Sequence, residues 1–138
     1  MDKATLQNLA ELRLQDAAAL LNAGRWDAAY YMAGYCIECA LKACAAKRFL
    51  QHVVPERDLT NKFYTHDFNK LVEIAGLLGA LNDRQKIDVE FRFNWNLVSA
   101  WNESKRYDIG MSEGESRAML LAVSDKDSGV LTWLRTQY

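Results

Sequence analysis

One stretch of the chain, residues 25–47, constrains the fold more than any other. Its apolar residues recur at steps of three and four, which is the period of an α-helix. This helix is rich in small residues, which let neighbouring helices approach closely: Ala28, Ala29, Ala33, Gly34, Ala40, Ala43 and Ala45. Because it is apolar on more than one side, we expect it to lie at the centre of an all-helical domain.

The same helix carries a polar stripe. Its members recur at steps of four, three and four and therefore share one face: Tyr31, Tyr35, Glu38 and Lys42. An unpaired buried charge costs several kcal/mol, so an acid among alanines and cysteines needs partners. We predict that four residues from elsewhere join it in a polar cluster at one end of the bundle: His66, Asp67, Arg106 and Tyr107. The simpler alternative is an intrahelical ion pair of Glu38 with Lys42.

Composition limits the function classes. The 138 residues fit one domain, 1–138, and a net charge of −1 provides no general attraction to nucleic acid or to anionic membranes. The chain shows neither a signal peptide nor a membrane span, and we interpret it as cytoplasmic. Its three cysteines, Cys36, Cys39 and Cys44, lie within one predicted helix, which favours reduced core thiols over a disulfide or a metal site.

Four further helices are predicted around the central one, giving a five-helix up-and-down bundle. Residues 4–22 form an amphipathic first helix that stops at Gly24, and the short link makes the first two helices antiparallel. The central helix extends from about Trp26 to His52, and a loop is predicted at Pro55 and residues 56–62.

The second half of the chain predicts the remaining three helices. Thr65 is the expected N-cap of a third helix, with an apolar stripe from Phe68 to Leu78, and a turn at residues 81–83 precedes a fourth helix to about Trp101. Residues 102–111 are predicted to be a loop. A capping box formed by Ser112 and Glu115 then starts a fifth helix, with a kink or stop at residues 127–129.

The fourth predicted helix has more apolar surface than one core contact requires. One side carries Ile87, Phe91, Trp95 and Val98, and another carries Phe93, Leu97 and Ala100. Since large exposed apolar patches are uncommon on monomers, we expect a subunit interface here and hence a homodimer. Trp95 and Trp101, with Arg92, are open to two interpretations: a partner-binding hot spot, or packing within the monomer.

Three segments together resemble the HEPN family, the "higher eukaryotes and prokaryotes nucleotide-binding" domains. They are GRWDAAYYMAGYCIECALKA at residues 24–43, THDFNKLVEIAG at residues 65–76 and WNESKRY at residues 101–107. The resemblance covers nearly the whole chain. It implies an all-helical, often dimeric protein, frequently encoded beside a minimal nucleotidyltransferase in toxin–antitoxin or defence modules.

Many members of this family are metal-independent ribonucleases whose motif is an arginine followed, after four to six residues, by a histidine. An imidazole exchanges protons near neutral pH, and a guanidinium stabilises charge on the phosphate. In this chain Arg106 and Tyr107 occupy the matching loop, but no histidine follows them. Arg48 and His52, with three residues between them, are a weaker candidate pair, and His66 can equally be a helix cap or a surface residue.

The resemblance therefore implies a non-catalytic binding or regulatory protein, with a nucleotide, an RNA or a nucleotidyltransferase-type protein as its partner and with no cofactor or metal. Two alternatives stay open. One is a divergent metal-independent ribonuclease that uses Arg106 with Tyr107 or His66, and the other is a stand-alone helical scaffold that binds no nucleotide.

Overall fold

A computed structural model describes residues 2–49 and 61–138, except for the side chains of Phe49 and Arg106. Within these residues the protein is all-helical without strands, and the helices pack as a bundle, which confirms the predicted fold class. Residues 61–63 are helical as well. The other helices are α1 (Lys3–Asn22), α2 (Trp26–Phe49), α3 (Phe68–Ile74), α4 (Leu78–Ile87), α5 (Val89–Ser99), the 3-10 helix η1 (Glu103–Tyr107), α6 (Glu113–Ser124) and α7 (Val130–Arg135).

The first two helices form the hairpin that the sequence predicts. Asp2 caps α1, because its carboxylate accepts a hydrogen bond from the Thr5 amide at 2.8 Å. Gly24 has a φ of 76°, the left-handed conformation that glycine adopts without steric cost, and it ends α1. The α1–α2 pair has the most extensive helix–helix contact in the described part of the chain.

Helix α2 is central in the bundle, as its composition predicts. It packs against α1, α3, α6, α7 and η1. Ala33, Ala40 and Ala43 are fully buried, so their small side chains allow this close packing, whereas Ala28 is exposed. The core around α2 draws its large apolar side chains from α3, α5, α6 and α7, and its biggest members include Phe68, Phe91, Leu71, Met119 and Leu131.

The predicted boundaries of the third helix are wrong. Asp67, and not Thr65, is the N-cap of α3, because its carboxylate accepts from the amides of Asn69 and Lys70. The helix ends at Ile74 because Gly76 turns the chain with a φ of 72°. Leu78, expected on the buried stripe, is exposed at the start of the next helix.

The turn predicted at residues 81–83 is also wrong, since these residues lie inside α4 with Leu81 buried. The break comes later, at Asp88, which caps α5 through the Phe91 amide. Helices α4 and α5 therefore replace one predicted helix. Ile87, placed beside that break, is exposed, while Phe91 of the predicted buried stripe is buried.

The last predicted helix is confirmed at its start and divided near its end. Ser112 and Glu115 form the capping box of α6. The stop at residues 127–129 falls between α6 and α7, where a β-carbon on Gly129 would lie 2.5 Å from the Asp125 carbonyl oxygen. Of the predicted loops, residues 102–111 contain η1, residues 61 and 62 are helical, and Pro55 and residues 56–60 lie outside the described residues. His52, the predicted end of the central helix, also lies outside them.

Candidate functional site

The polar stripe of α2 has a buried carboxylate at its centre. Glu38 is only 2% exposed, which is unusual for an acidic side chain. Its Oε1 contacts Nδ1 of His66 and lies 3.7 Å from Nζ of Lys42, one helical turn further along α2. An ionised carboxylate only accepts hydrogen bonds, so His66 is the donor in its contact, while Lys42 forms an ion pair with the same oxygen. The imidazole and the ammonium together compensate the loss of water around Glu38.

The chain just before α3 positions His66. The Thr65 hydroxyl accepts from the Asp67 amide, and Asp67 in turn caps α3, so both neighbours of the histidine are held by local hydrogen bonds. The His66 side chain is 42% exposed. With Nδ1 engaged by Glu38, Nε2 is the ring nitrogen that can meet a ligand. A carboxylate that accepts from one imidazole nitrogen fixes the orientation of the ring.

Lys42 closes the other side of the carboxylate. Its side chain is mostly buried, and its Nζ lies 5.8 Å from the centroid of the Phe63 ring. An ammonium near an aromatic face is favoured electrostatically. The group formed by Glu38, Lys42 and His66, here called the Glu38 cluster, therefore joins α2 to the segment in front of α3.

An aromatic group continues the stripe toward the start of α2. The rings of Tyr31 and Tyr35 stack with centroids 6.1 Å apart, and Tyr31 lies 5.6 Å from Trp101. Trp101 stacks on Phe68 at 5.2 Å and covers Gly34 so closely that a β-carbon there would lie 2.3 Å from the indole. The two tyrosines thus pack within the monomer and are partly buried.

A cleft of about 470 Å³ opens beside His66. Its walls come from the start of α3 and from the chain between α5 and η1. The polar and aromatic residues lining it include His66, Asp67, Asn69, Trp101, Asn102 and Glu103. Trp101 is almost fully buried, and its Nε1 has no hydrogen-bond acceptor among the described residues. The cleft therefore offers an imidazole, amides and carboxylates, with an indole in its wall.

The remaining predicted site residues lie on η1. Tyr107 is exposed at the end of this helix. The backbone of Arg106 belongs to η1, and its side chain lies outside the described part of the structure. Glu103, three residues before Arg106, lines the same cleft as His66. Of the predicted site residues, Glu38 therefore contacts Lys42 and His66 directly. Asp67 caps a helix at the cleft, and Tyr107 lies on the surface.

Burial also sets the acidity of the groups around the stripe. Desolvation raises the pKa of the Tyr35 hydroxyl, with the nearby Cys39 and Glu38 adding to the effect. Desolvation, assisted by Glu38, raises the pKa of the Cys39 thiol to about 11, and burial alone raises that of Cys44 to about 11. Since the thiolate is the reactive form, these cysteines are inert core residues near neutral pH.

The other candidates have structural roles. The Arg48 guanidinium donates to the Ile74 carbonyl oxygen at 2.9 Å and so caps the end of α3, while His52 lies outside the described residues. Trp95 and Trp101 are buried, which supports packing within the monomer, and Arg92 is exposed.

Asn69, Asn102 and Glu103 line the cleft but are not predicted as site residues from the sequence. Asn102 caps η1 by accepting a hydrogen bond from the Ser104 amide. This capping pattern is the sequence signal that could have identified Asn102. The cleft itself could not be read from the sequence, because it depends on how α3 approaches the chain after α5.

Comparison with known proteins identifies the family. A sequence model described as the HEPN domain matches residues 5–120, which is most of the chain. Searches of curated proteins and of solved structures gave no match. Among the described residues, no helix combines the length and the apolar character that crossing a bilayer requires.

Proposed function

The chain belongs to the HEPN domain family, and from this premise we propose that it is a non-catalytic binding or regulatory protein of a toxin–antitoxin or defence module. Its ligand is a nucleotide or an RNA held at the cleft beside His66. The same module supplies a minimal nucleotidyltransferase as a protein partner, and the chain acts as a homodimer in the cytoplasm.

The observation that carries this proposal is the Glu38–His66 contact at the wall of the cleft. The buried carboxylate orients the imidazole and leaves Nε2 for the ligand. Asn69 adds a side-chain amide, which can both donate and accept, and nucleobase edges present such donors and acceptors. The unpartnered Trp101 Nε1 at the same cleft is a buried donor that a bound acceptor would satisfy.

The charge of the cleft favours a base over a phosphate as the group that enters it. Asp67 and Glu103 both line the cleft, and their carboxylates repel phosphate oxygens. The imidazole of His66 is the cationic group among its lining residues when protonated, and it is already paired with Glu38. This arrangement, together with the missing histidine after Arg106, supports binding without cleavage.

Fluorescence anisotropy with a labelled RNA hairpin, and competition by AMP, tests the proposal. We expect saturable binding that His66→Ala and Asn69→Ala each weaken about tenfold, the loss of one good hydrogen-bonded contact. Asn82→Ala is the matched control, since Asn82 is an exposed helical asparagine on α4, away from the cleft lining. Equal affinity in the parent and in Asn69→Ala would contradict the proposal even if His66→Ala folds poorly.

A second candidate, a divergent ribonuclease, is favoured by the same contact, because a carboxylate–imidazole pair can also transfer a proton. Arg106 follows the cleft residue Glu103 by one turn of η1. Incubation with structured RNA in EDTA separates the two functions. Cleavage that is lost in both Arg106→Ala and His66→Ala would establish the enzyme, and intact RNA at high protein concentration would exclude it.

A further inference from the structure

Helix α5 presents an apolar stripe to solvent. Val89, Phe93 and Leu97 follow one another at four-residue steps, and Phe93 is 66% exposed. The opposite side of the same helix is buried in the core through Phe91 and Trp95. The helix is therefore apolar on two sides, and only one of them has a partner within the described part of the chain.

Helix α6 extends this apolar surface. Leu121 is 61% exposed, and Ala118, one turn earlier, is exposed as well. Together with Phe93 and Leu97 they border a shallow groove of about 380 Å³ between α5 and α6. Exposed apolar patches that join two helices in this way mark interaction surfaces.

The charges at the two ends of the groove indicate what covers it. The start of α5 lies beside the end of α6, since the Ser128 hydroxyl donates to the Asp88 carboxylate that caps α5, so Glu90 and Asp125 lie together at one end of the groove. The other end, at Leu97 and Ala118, adjoins Arg117, which shares the face of Leu121 one turn earlier. Arg117 is half exposed and pairs with Glu113 at 2.7 Å, and its five donors allow it to hold a second carboxylate.

We propose that this groove binds the same groove of a second copy of the chain about a two-fold axis. A two-fold axis that crosses the groove at right angles lays each end of the surface over the opposite end of its copy, so the Glu90–Asp125 end faces Arg117 of the other protomer. The apolar middle, centred on Phe93 and Leu121, then pairs with itself. This inference rests on the homodimer of the proposed function and assigns it a surface on α5 and α6.

The surface shares no residue with the lining of the cleft. Association and ligand binding can therefore be measured separately. Sedimentation velocity without RNA tests the dimer alone, so its failure is distinguishable from a failure of nucleotide binding at His66.

Sedimentation velocity at tens of micromolar protein provides the first test. We expect the parent to be a dimer, and Phe93→Asp and Leu121→Asp to be folded monomers by circular dichroism. Ile109→Asp is the control, because Ile109 is 91% exposed but lies outside the groove, and it should remain dimeric. A monomeric parent would overturn the proposal and leave the groove to a different partner. A dimer that survives both groove substitutions would overturn it as well.

Charge exchange tests the two-fold arrangement. Glu90→Arg and Arg117→Glu should each raise the dimer dissociation constant about tenfold, because each places like charges opposite one another. The double variant should regain most of the lost affinity. If the two single effects instead add in the double variant, the ends of the groove do not face each other and the proposed geometry is wrong.

Discussion

Glu38 links separate parts of the molecule through one side chain. Its carboxylate is buried on α2, forms an ion pair with Lys42 on the same helix and accepts a hydrogen bond from His66 in front of α3. Desolvating a carboxylate costs several kcal/mol, which these two partners offset only while both are in place. The cluster therefore ties the position of His66 at the cleft to the integrity of the core.

Replacing Glu38 with glutamine should lower the free energy of unfolding by about 2 kcal/mol, since the side chain keeps its size but loses its charge-assisted hydrogen bond to His66 and its ion pair with Lys42. Glu113→Gln is the matched control. Glu113 forms the same type of i,i+4 pair with Arg117, but on the surface, so about 0.5 kcal/mol or less is expected. Urea denaturation measures both effects, and a Glu38→Gln protein as stable as the parent would disprove the buried-cluster hypothesis.

For single residues, the sequence could predict on which helix face Glu38 lies but not which groups contact its carboxylate. Steps of three and four put it with Lys42 on one side of a crowded helix. The structure then gives different roles to two adjacent residues, since His66 meets Glu38 while Asp67 caps α3. Spacing along the chain cannot distinguish these roles, because they depend on the direction in which α3 leaves the preceding segment.

Among the helices, the capping residues decide where each element starts. Asp88 caps α5 through the Phe91 amide and also accepts from Ser128 and from Arg84, whose guanidinium donates to the Asp127 carbonyl oxygen. This carboxylate connects the α4–α5 junction to the turn between α6 and α7. The sequence favoured a cap at residues 81–83 because the Asn82-Asp83 pair is a common capping signal, and tertiary packing of Leu81 overrode it.

Asp88 should make the free energy of unfolding fall as the pH is lowered. The Phe91 amide, helped by Ser128 and Arg84, lowers the pKa of this carboxyl below its usual range. A group with a depressed folded-state pKa stabilises the fold above its unfolded pKa, and this contribution disappears as the pH falls through the folded value. The parent should therefore lose more stability than Asp88→Asn between pH 7 and about pH 3 in urea denaturation. Equal losses would show that Asp88 does not contribute to the acid sensitivity.

The contact between Gly34 on α2 and Trp101, which follows α5, leaves no space for an added side-chain atom. A β-carbon on Gly34 would overlap the Trp101 indole, and the ring is fixed between Gly34 and Phe68. Gly34→Ala should therefore cost about 3 kcal/mol or more in the free energy of unfolding. Gly79→Ala is the control, because the space around Gly79 is open and alanine favours helix, so it should be neutral or stabilising by up to about 1 kcal/mol. Thermal unfolding of the two variants compares them, and equal effects would refute the close contact.

For the whole molecule, the sequence predicted the architecture better than the site. The small residues of α2 and the capping box of α6 were sufficient to predict a helical bundle. The family model agrees with this fold over residues 5–120. The cleft arises from two separate segments, 65–69 and 99–103, that only the packed bundle brings together. The excess apolar surface of α5 could be recognised from the periodicity of its residues. The groove could not be predicted, because it depends on where α6 packs beside α5.

Binding of RNA at His66 is tested most directly by long-range ¹H–¹⁵N NMR of the imidazole nitrogens during titration with the RNA hairpin. The chain has only two histidines, so His52→Gln assigns the signals. We predict that the Nε2 signal of His66 shifts to saturation while its Nδ1 signal stays hydrogen-bonded, and that the RNA recovered from the tube is intact. Unchanged His66 signals at saturating RNA would contradict binding at the cleft, and cleaved RNA would contradict a non-catalytic role.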